Sequence, residues 1–519
     1  MNPGWRPGVL LVAALLAMAP LAGALNVATK SIKARPSGLY SPDTAWEEGY
    51  YGCNTTIAVF DNGVDDEHPY FDSKVAAGQD TTATGPVWEE ANDGNPQPIL
   101  GDHGTPVAGI VHSNAGQSFT QPSEQPNYED DALVGVAPCA HMVDVMFNDV
   151  AGDDGSIEQE MVQAFSWAIE HRNASWGDDE TTNDGIDAIT MSWSPDDKTD
   201  GSDPVCKAAT QAVEAGIVVL GSAGNSGRQE EPDLGCPTGA DGAISVANLY
   251  NQRTVDRSDD ELRETSTWGP REGDGDATPY DELRPTVAAP GHEVVSTGAS
   301  VADGREYGLA CFGTRDVPEP IPDLATFIVP KCEESFGGTS AATPMTAGVV
   351  ALMLDANPDL SPAGVKAILQ QTADPHEEMD QAAEEHSAVW DHRYGYGMID
   401  AHEAVTMAER WPGLEAGKDT DADGLRDPFD AGPFAPNVTE TVQPENLTAA
   451  GEGADTDGDG VLDREDTQPL NPTASDEPLD QASADTDEEG PVPVPAPGLG
   501  VALALLGAGL VHRGRSVHT

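Results

Sequence analysis

The chain has few basic residues. Only 25 lysines and arginines stand against 90 aspartates and glutamates, and the net charge is −65. Because nucleic acids and anionic lipid headgroups are also negative, this imbalance argues against both as partners. Clusters of acids recur at 129–131, 178–180 and 256–264 rather than in one tail. Salt screens the repulsion among so many carboxylates, so the composition indicates a protein adapted to high salt.

Long hydrophobic runs are also missing. The apolar run 9–21 is shorter than the roughly 20 residues that span a membrane. It follows Arg6 and precedes three small residues at 22–24, which is the order of a secretory signal peptide rather than of a lone membrane anchor. We therefore expect export of the protein to the extracellular space or cell surface and cleavage after Ala24, which leaves a short N-terminal segment at 25–46.

A second short apolar run lies near the C-terminus at 498–511. It follows a proline-rich linker at 485–497 and precedes Arg513 and Arg515. A semi-rigid spacer, an apolar segment and terminal arginines resemble a tripartite surface-sorting signal. We expect residues 498–519 to attach the protein to the membrane or cell envelope, or to be processed and replaced by another anchor.

A serine nucleophile is indicated at the start of a helix. Gly337 and Gly338 permit a tight turn before Ser340, and small and apolar residues then follow at helical spacing. The first N–H groups of a helix are unpaired and favour negative charge, which suits a group whose attack on a carbonyl creates an oxyanion. A serine that only caps a core helix would give the same pattern, so the assignment needs an acid and a base elsewhere.

Both occur upstream. The apolar run 56–60 predicts a buried parallel strand that delivers Asp61 at its carboxyl end, where sites form in α/β sheets. His103 lies between polar and glycine residues at the mouth of a second small-residue helix. Either residue alone would more often be structural. The chain order of Asp61, His103 and Ser340 is the order found in subtilisin.

The run 337–345, together with this order, closely resembles the subtilisin family of serine proteases. The resemblance covers roughly residues 47 to 410. It implies an α/β fold, in which a subtilisin-like parallel sheet is flanked by helices. It also implies a serine endopeptidase that acts on protein or peptide substrates without a catalytic cofactor.

Further roles follow from the resemblance. Asn225, in the glycine-rich turn of the run 216–227, corresponds to the oxyanion-hole residue, and a turn asparagine is the alternative. The run 188–194 corresponds to a strand whose edge pairs with an extended substrate. The family usually has an aliphatic residue at position 193 and a glycine at 194. Trp193 and Ser194 are larger, so we expect a narrower substrate cleft at this wall. The substrate-binding candidates are Ser192, Trp193, Ser194, Ser222, Ala223, Gly224 and Gly235.

Six cysteines in an exported chain are candidates for disulfides. The resemblance places Cys53 and Cys139 just before two neighbouring parallel strands, whose starts could be bridged. The remaining cysteines would then form the local pairs Cys206–Cys236 and Cys311–Cys332. Six cysteines allow fifteen connectivities, so other pairings stay open.

Two acidic repeats follow residue 411. Aspartates stand at loop positions 1, 3, 5, 9 and 12 with glycine at position 6, a spacing that lets alternate side chains meet one hard cation. The pattern resembles thrombospondin type 3 calcium repeats and predicts structural calcium, with a disordered acidic linker as the alternative. The candidate ligands are Asp419, Asp421, Asp423, Asp427, Asp430, Asp455, Asp457, Asp459, Asp463 and Asp466.

The sequence thus predicts a monomeric, surface-attached serine endopeptidase. The alternative is a calcium-stabilised surface or adhesion protein whose protease-like domain binds peptides without cutting them. The expected organisation is a signal peptide at 1–24, a short segment at 25–46, a catalytic domain at 47–411, an acidic calcium-binding region at 412–484, the linker at 485–497 and the C-terminal segment at 498–519.

Overall fold

The computed structural model describes most of the region from residue 24 to residue 411. The described residues are 24–66, 68–71, 75–81, 87–88, 102–117, 128–129, 132–147, 154–176, 185–194, 198–229, 234–273, 282–299, 314–316, 328–330, 333–376, 379 and 390–411. The predicted calcium repeats, the linker, the C-terminal segment and the pair Cys311–Cys332 lie outside these residues.

A mixed, mostly parallel sheet forms the centre of the described region, as the α/β prediction requires. The strands are β1 Thr56–Asp61, β2 Val75–Asp80, β3 Val87–Trp88, β4 His141–Met146, β5 Ala188–Met191, β6 Val218–Ser222, β7 Ile244–Tyr250, β8 Glu261–Leu262 and β9 Val287–Pro290. They run in the order β3-β2-β4-β1-β5-β6-β7-β8, and β9 also pairs with β7. Among the described strands of this sheet, the β2–β3 and β7–β8 pairs are antiparallel and the others are parallel.

Helices cover both faces of this sheet. Along β1, Ile57 belongs to one core cluster and Ala58 to another, because successive side chains of a strand point to opposite faces. The Ile57 side carries α5 to α7, and the Ala58 side carries α3 and α4. The helices are α1 Ala24–Ser31, α2 Gly104–His112, α3 Asp154–His171, α4 Pro204–Glu214, α5 Thr339–Ala356, α6 Pro362–Thr372 and α7 Ala401–Arg410.

Two small antiparallel ribbons accompany the main sheet. The first joins β10 Val294–Thr297 to β13 Glu333–Phe336, and the second joins β11 Thr314–Asp316 to β12 Ile328–Pro330. The first ribbon supports α2, since the Thr297 hydroxyl donates to the carbonyl of Thr105, 2.7 Å away. β10 therefore braces the helix following His103, and β13, which ends just before Gly337, pairs with β10.

The segment 25–46 is part of the folded core rather than only a lead into it. Leu25 and Ile32 are fully buried, and Trp46 is buried beside them in the main cluster. Arg35 donates to the backbone carbonyls of Glu129 and Ala132. The folded region thus begins well before residue 47, because this segment packs against elements distant in sequence.

Two of the three disulfide pairs implied by the family resemblance form. Cys53 bonds Cys139, and Cys206 bonds Cys236. The first bond lies where expected, because β1 and β4 pair in parallel with Thr56 opposite His141. Within the region that the structure describes, no helix is long and apolar enough to cross a membrane.

Candidate active site

Asp61 and His103 meet at the carboxyl end of the sheet. Asp61 is the last residue of β1, and His103 immediately precedes α2. The histidine Nδ1 lies 2.9 Å from each carboxylate oxygen. Asp61 is only 3% exposed, whereas the histidine side chain is 30% exposed. With Nδ1 donating to the buried carboxylate, Nε2 is the nitrogen that can accept a proton.

The start of α2 approaches β1 closely because of a glycine. A Cβ atom on Gly104 would lie 2.4 Å from the carbonyl oxygen of Gly63. The Gly104 N–H instead donates to Oδ1 of Asn62, 3.0 Å away. The loop after Asp61 therefore holds the helix that carries His103.

Ser340 occupies the first turn of α5. Gly338, at the N-cap, has a φ of 93°, a backbone conformation that favours glycine. Its N–H donates to the carbonyl of Gly291, and a Cβ atom on Gly291 would lie 2.5 Å from the carbonyl oxygen of Gly338. Ser340 is 8% exposed. The close contact of Gly291 with Gly338 thus fixes the backbone at the start of the helix that carries Ser340.

Ser192 and Ser340 exchange hydrogen bonds. The Ser340 hydroxyl donates to the Ser192 carbonyl at 3.2 Å, and the Ser192 hydroxyl donates to the Ser340 carbonyl at 2.9 Å. The expectation that the run 188–194 pairs through its edge with an extended substrate does not hold for residues 188–191. β5 ends at Met191 and lies between β1 and β6, so both of its edges are occupied. Only 192–194 continue beyond the sheet.

Asn225 contacts the residue before Ser340. Its Oδ1 accepts a hydrogen bond from the Thr339 N–H at 3.1 Å, and the Thr339 hydroxyl lies 3.3 Å away. In this orientation the amide oxygen is bonded to Thr339 at the start of α5, and the Nδ2 group is the part of the side chain that can donate to another acceptor. Asn225 is exposed, in the turn that follows β6.

Helix packing joins these parts. α2 packs against α5, and α5 lies over β5 and β6. The residues after three neighbouring strands, β1, β5 and β6, therefore gather beside the starts of two helices. This is the arrangement expected at the carboxyl ends of parallel strands.

Comparison with known proteins agrees with this geometry. A model of the subtilase family matches residues 52–397. The chain belongs to the subtilase family. The matched region is accordingly a serine endopeptidase domain with a subtilisin-like α/β fold.

Several curated relatives are also subtilases. The serine protease AprX of Bacillus subtilis is 26% identical over 68% of this chain and 66% of its own length. Endoprotease bli-4 of Caenorhabditis elegans is 27% identical over 71% of this chain but 32% of its own. This chain thus spans less than two thirds of either relative. The solved structure of fervidolysin from Fervidobacterium pennivorans has a TM-score of 0.45 and 24% identity, covering 70% of this chain and 44% of that one.

The remaining substrate-binding candidates of this subtilase lie close to β6. Ser222 and Ala223 are buried at the end of that strand and its continuation, and Gly224 follows. Gly235 is buried, and its carbonyl accepts from the Thr238 hydroxyl at 2.8 Å. A Cβ atom on Gly221 of β6 would lie 2.6 Å from the Thr238 side chain. The Gly235 segment therefore packs against the strand that leads to Asn225.

The Trp193 ring packs against the core. Its centroid lies 6.1 Å from that of Phe147, in an edge-to-face arrangement. Phe147 is fully buried directly after β4. The aromatic residue at 193 is thus partly anchored, which limits how far its ring extends into a cleft.

Two residues near the candidate triad were not predicted from the sequence. Phe336, at the end of β13, places its ring 5.1 Å from the imidazole of His103, edge to face. It lies in a glycine- and proline-rich acidic stretch that offers no periodic signal. Asp144, on β4, is 2% exposed, and its Oδ2 accepts from the Val64 N–H at 3.0 Å. A lone aspartate within the apolar run of β4 was the available signal for the second residue.

No group of three or more histidine, cysteine, aspartate or glutamate side chains in the described ranges is arranged to hold a metal ion. The ten aspartates of the predicted calcium repeats lie beyond residue 411, outside those ranges. Calcium binding at the repeats therefore stays a prediction.

Proposed function

We propose that this protein is a secreted, surface-attached subtilase that hydrolyses internal peptide bonds of proteins with an Asp61–His103–Ser340 triad. The observation that carries the proposal is the contact of His103 Nδ1 with the buried Asp61 carboxylate, 2.9 Å from each oxygen. The helix that follows His103 packs against α5, whose first turn contains Ser340.

The proposed reaction begins with attack of the Ser340 Oγ on the carbonyl carbon of the scissile peptide bond. The hydroxyl proton turns from the Ser192 carbonyl, which it meets in the structure, and passes to His103 Nε2. Asp61 keeps Nδ1 protonated and stabilises the imidazolium that forms. His103 then returns the proton to the leaving amine. Water next attacks the acyl group while His103 takes its proton, and that proton passes to the Ser340 oxygen as the acyl group leaves.

The oxyanion of the tetrahedral intermediate needs donors. We assign this role to the Asn225 Nδ2 group and the Ser340 backbone N–H in the first turn of α5, where N–H groups lack intrahelical partners. The bond between Asn225 Oδ1 and the Thr339 N–H supports this, because it fixes which side of the amide carries the donors.

The proposed substrate is an extended peptide. Residues 192–194 leave the sheet after β5 beside Ser340, so their backbone can pair with the substrate as an added strand. The substrate-binding assignment also includes Ser222 to Gly224 and Gly235. Cleavage preference depends on the residues that line the cleft, and the contact of Trp193 with Phe147 limits how far this ring extends into it.

Location and ion dependence complete the proposal. Residues 1–24 direct export, 498–519 attach the protein to the cell envelope, and the two acidic repeats bind structural calcium. A net charge of −65 makes the compact form dependent on screening by salt. These assignments are supported by composition and spacing alone.

Replacement of the nucleophile tests the function. We expect Ser340→Ala to lose casein hydrolysis by at least about 10⁴-fold in kcat, since only binding and the oxyanion hole then remain. Assays run from dilute buffer to molar salt with calcium supplied. The matched control is Ser166→Ala, which alters an exposed serine on α3.

A fluorophosphonate probe adds a second readout. It should label the wild type and the Ser166→Ala control but not Ser340→Ala. Full hydrolysis by Ser340→Ala would refute the triad. A folded wild type that neither hydrolyses casein nor takes the label at any salt concentration would favour the non-catalytic surface protein, against which the occupied triad positions now argue.

A further inference from the structure

Asp144 is a buried carboxyl behind the catalytic acid. It lies on β4 opposite Val59 of β1, and β4 pairs with β1 along its whole length. Its side chain is 2% exposed. Oδ2 accepts the Val64 N–H at 3.0 Å, while Oδ1 is buried and has no hydrogen-bond partner among the described residues. An ionised carboxylate in such a place would have an uncompensated oxygen.

Three aspartates among the described residues act electrostatically on Asp144. They are Asp61 at the end of β1, Asp66 in the following loop and Asp80 at the end of β2. Burial, and then the negative charges of these three aspartates, raise the pKa of Asp144 to about 8, against the lowering effect of the Val64 N–H. Because the Val64 N–H already occupies Oδ2, a proton on this group would sit at Oδ1.

A short chain of contacts leads from Asp144 to His103. Asp144 holds Val64, three residues after Asp61 in the same loop. In that loop, Asn62 accepts the Gly104 N–H at the start of α2, directly after His103. The loop is thus tied to β4 on one side and to the histidine helix on the other.

We propose that neutral Asp144 is a positioning residue for Asp61 and His103, and that its ionisation at alkaline pH weakens catalysis. This inference rests on the proposed triad. Ionisation would add a negative charge beside the buried Asp61, and repulsion among the carboxylates would displace the loop that orients it. The same charge would make His103 bind its proton more tightly, so less of it would be available as a base.

The pH dependence of kcat/KM tests this proposal, with each enzyme scaled to its own maximum. The wild type should lose activity as the pH rises through about 8. In Asp144→Asn the side-chain oxygen can still accept from Val64 and the amide cannot ionise, so the alkaline limb should move up by at least about one pH unit. The change should appear in kcat rather than in KM, because Asp144 does not reach the substrate.

Asp187→Asn is the matched control. Asp187 also has a raised pKa and also accepts a backbone N–H of the β1 region, from Thr56 at 2.8 Å, but it lies at the opposite end of the strand. In this variant the alkaline limb of the kcat/KM profile should lie at the same pH as in the wild type. An identical limb in all three enzymes would overturn the proposal, as would an equal shift in both variants.

A third variant leaves Asp144 in place and covers the case in which Asp144→Asn does not fold. Asp80→Asn removes one of the facing charges, so Asp144 should ionise more easily and the alkaline limb should move down by a few tenths of a pH unit. An unchanged or upward-shifted limb would contradict the inference. Failure of the triad itself is recognised separately, because Ser340→Ala would then retain activity.

Discussion

The two ends of β1 use aspartates in opposite ways. At the amino end, Asp187 accepts the Thr56 N–H, and Oδ2 of Asp355 accepts the N–H groups of Tyr51, Gly52 and Cys53 at 2.9 to 3.3 Å. The Cys53–Cys139 bond closes the same end covalently. At the carboxyl end, Asp61 meets an ionisable ring, and Asp144 keeps one oxygen unpaired within the described region.

The difference follows from the donors available. Before the strand, backbone N–H groups need acceptors, and a carboxylate that takes several of them is fixed and stable. Beyond the strand, the donor on Asp61 is a histidine that can gain and lose a proton. The amino end of β1 is therefore held by static acceptors, whereas the carboxyl end carries a group that can exchange a proton.

The largest effect should come from Asp61→Asn. An amide at this position can turn its NH₂ group towards Nδ1, so the imidazole takes the wrong tautomer and cannot stabilise its protonated form. We expect a loss of about 10⁴-fold in kcat with little change in melting temperature. Asp355→Asn, at the amino end of β1, should instead lower the melting temperature and leave kcat nearly unchanged. A similar activity loss in both variants would erase the distinction between the two ends.

Removal of the Cys53–Cys139 bond by replacing both residues with alanine should act on stability alone. The bond closes a chain separation of 86 residues, so its loss should lower the free energy of unfolding by about 4 kcal/mol. Denaturant titration measures this change. Below its melting temperature the variant should keep wild-type kcat, and a large fall in kcat would mean that the amino end of β1 also controls the site.

Asn225→Ala should lower kcat by about 100- to 1000-fold through loss of one oxyanion donor. KM should change little, because the donor acts mainly on the charge that develops in the transition state. Thr339→Val is the control for the Oδ1 contact, since it removes the hydroxyl and keeps the backbone donor. Equal losses in both variants would show that Asn225 only braces the start of α5.

The smallest effect is the pH dependence of stability that arises from Asp187, at the amino end of β1. Burial raises the pKa of Asp187 to about 6, despite the hydrogen bond from Thr56. The folded state then holds a proton that the unfolded chain has already lost, so this group lowers stability as the pH rises from about 4 to 6. Asp187→Asn should melt a few degrees above the wild type at pH 7 and level with it below pH 4. A difference independent of pH would contradict this account.

Much of the fold and the candidate site could be read from local patterns. The continuous apolar run of β1 predicted a buried parallel strand, and its end marked Asp61. Glycine contexts marked the helix starts after His103 and Gly338, because close backbone approach and a positive φ restrict the residue type. The pair Cys53–Cys139 followed from the strand placement that the resemblance implied, and Cys206–Cys236 was expected as a local pair among the remaining cysteines.

Other features depended on contacts between residues far apart in the chain. Nothing local shows that 25–46 packs into the core, since its partners lie near 130 and 400. The resemblance also implied that the run 188–194 pairs with substrate through a strand edge, whereas the pairing of β5 on both sides is a property of the whole sheet. Phe336 reaches His103 only because β13 pairs with β10 under α2.

The sequence by itself determined the residue types, their order and the turns that glycine permits, because these depend on local backbone sterics. Tertiary structure alone decided which carboxyls are buried and what faces them. Asp144 and Asp187 are the same residue type, each accepting one backbone N–H near β1. Only their surroundings separate them, because a pKa is set by burial and by charges that packing brings close, and neither is written in the neighbouring sequence.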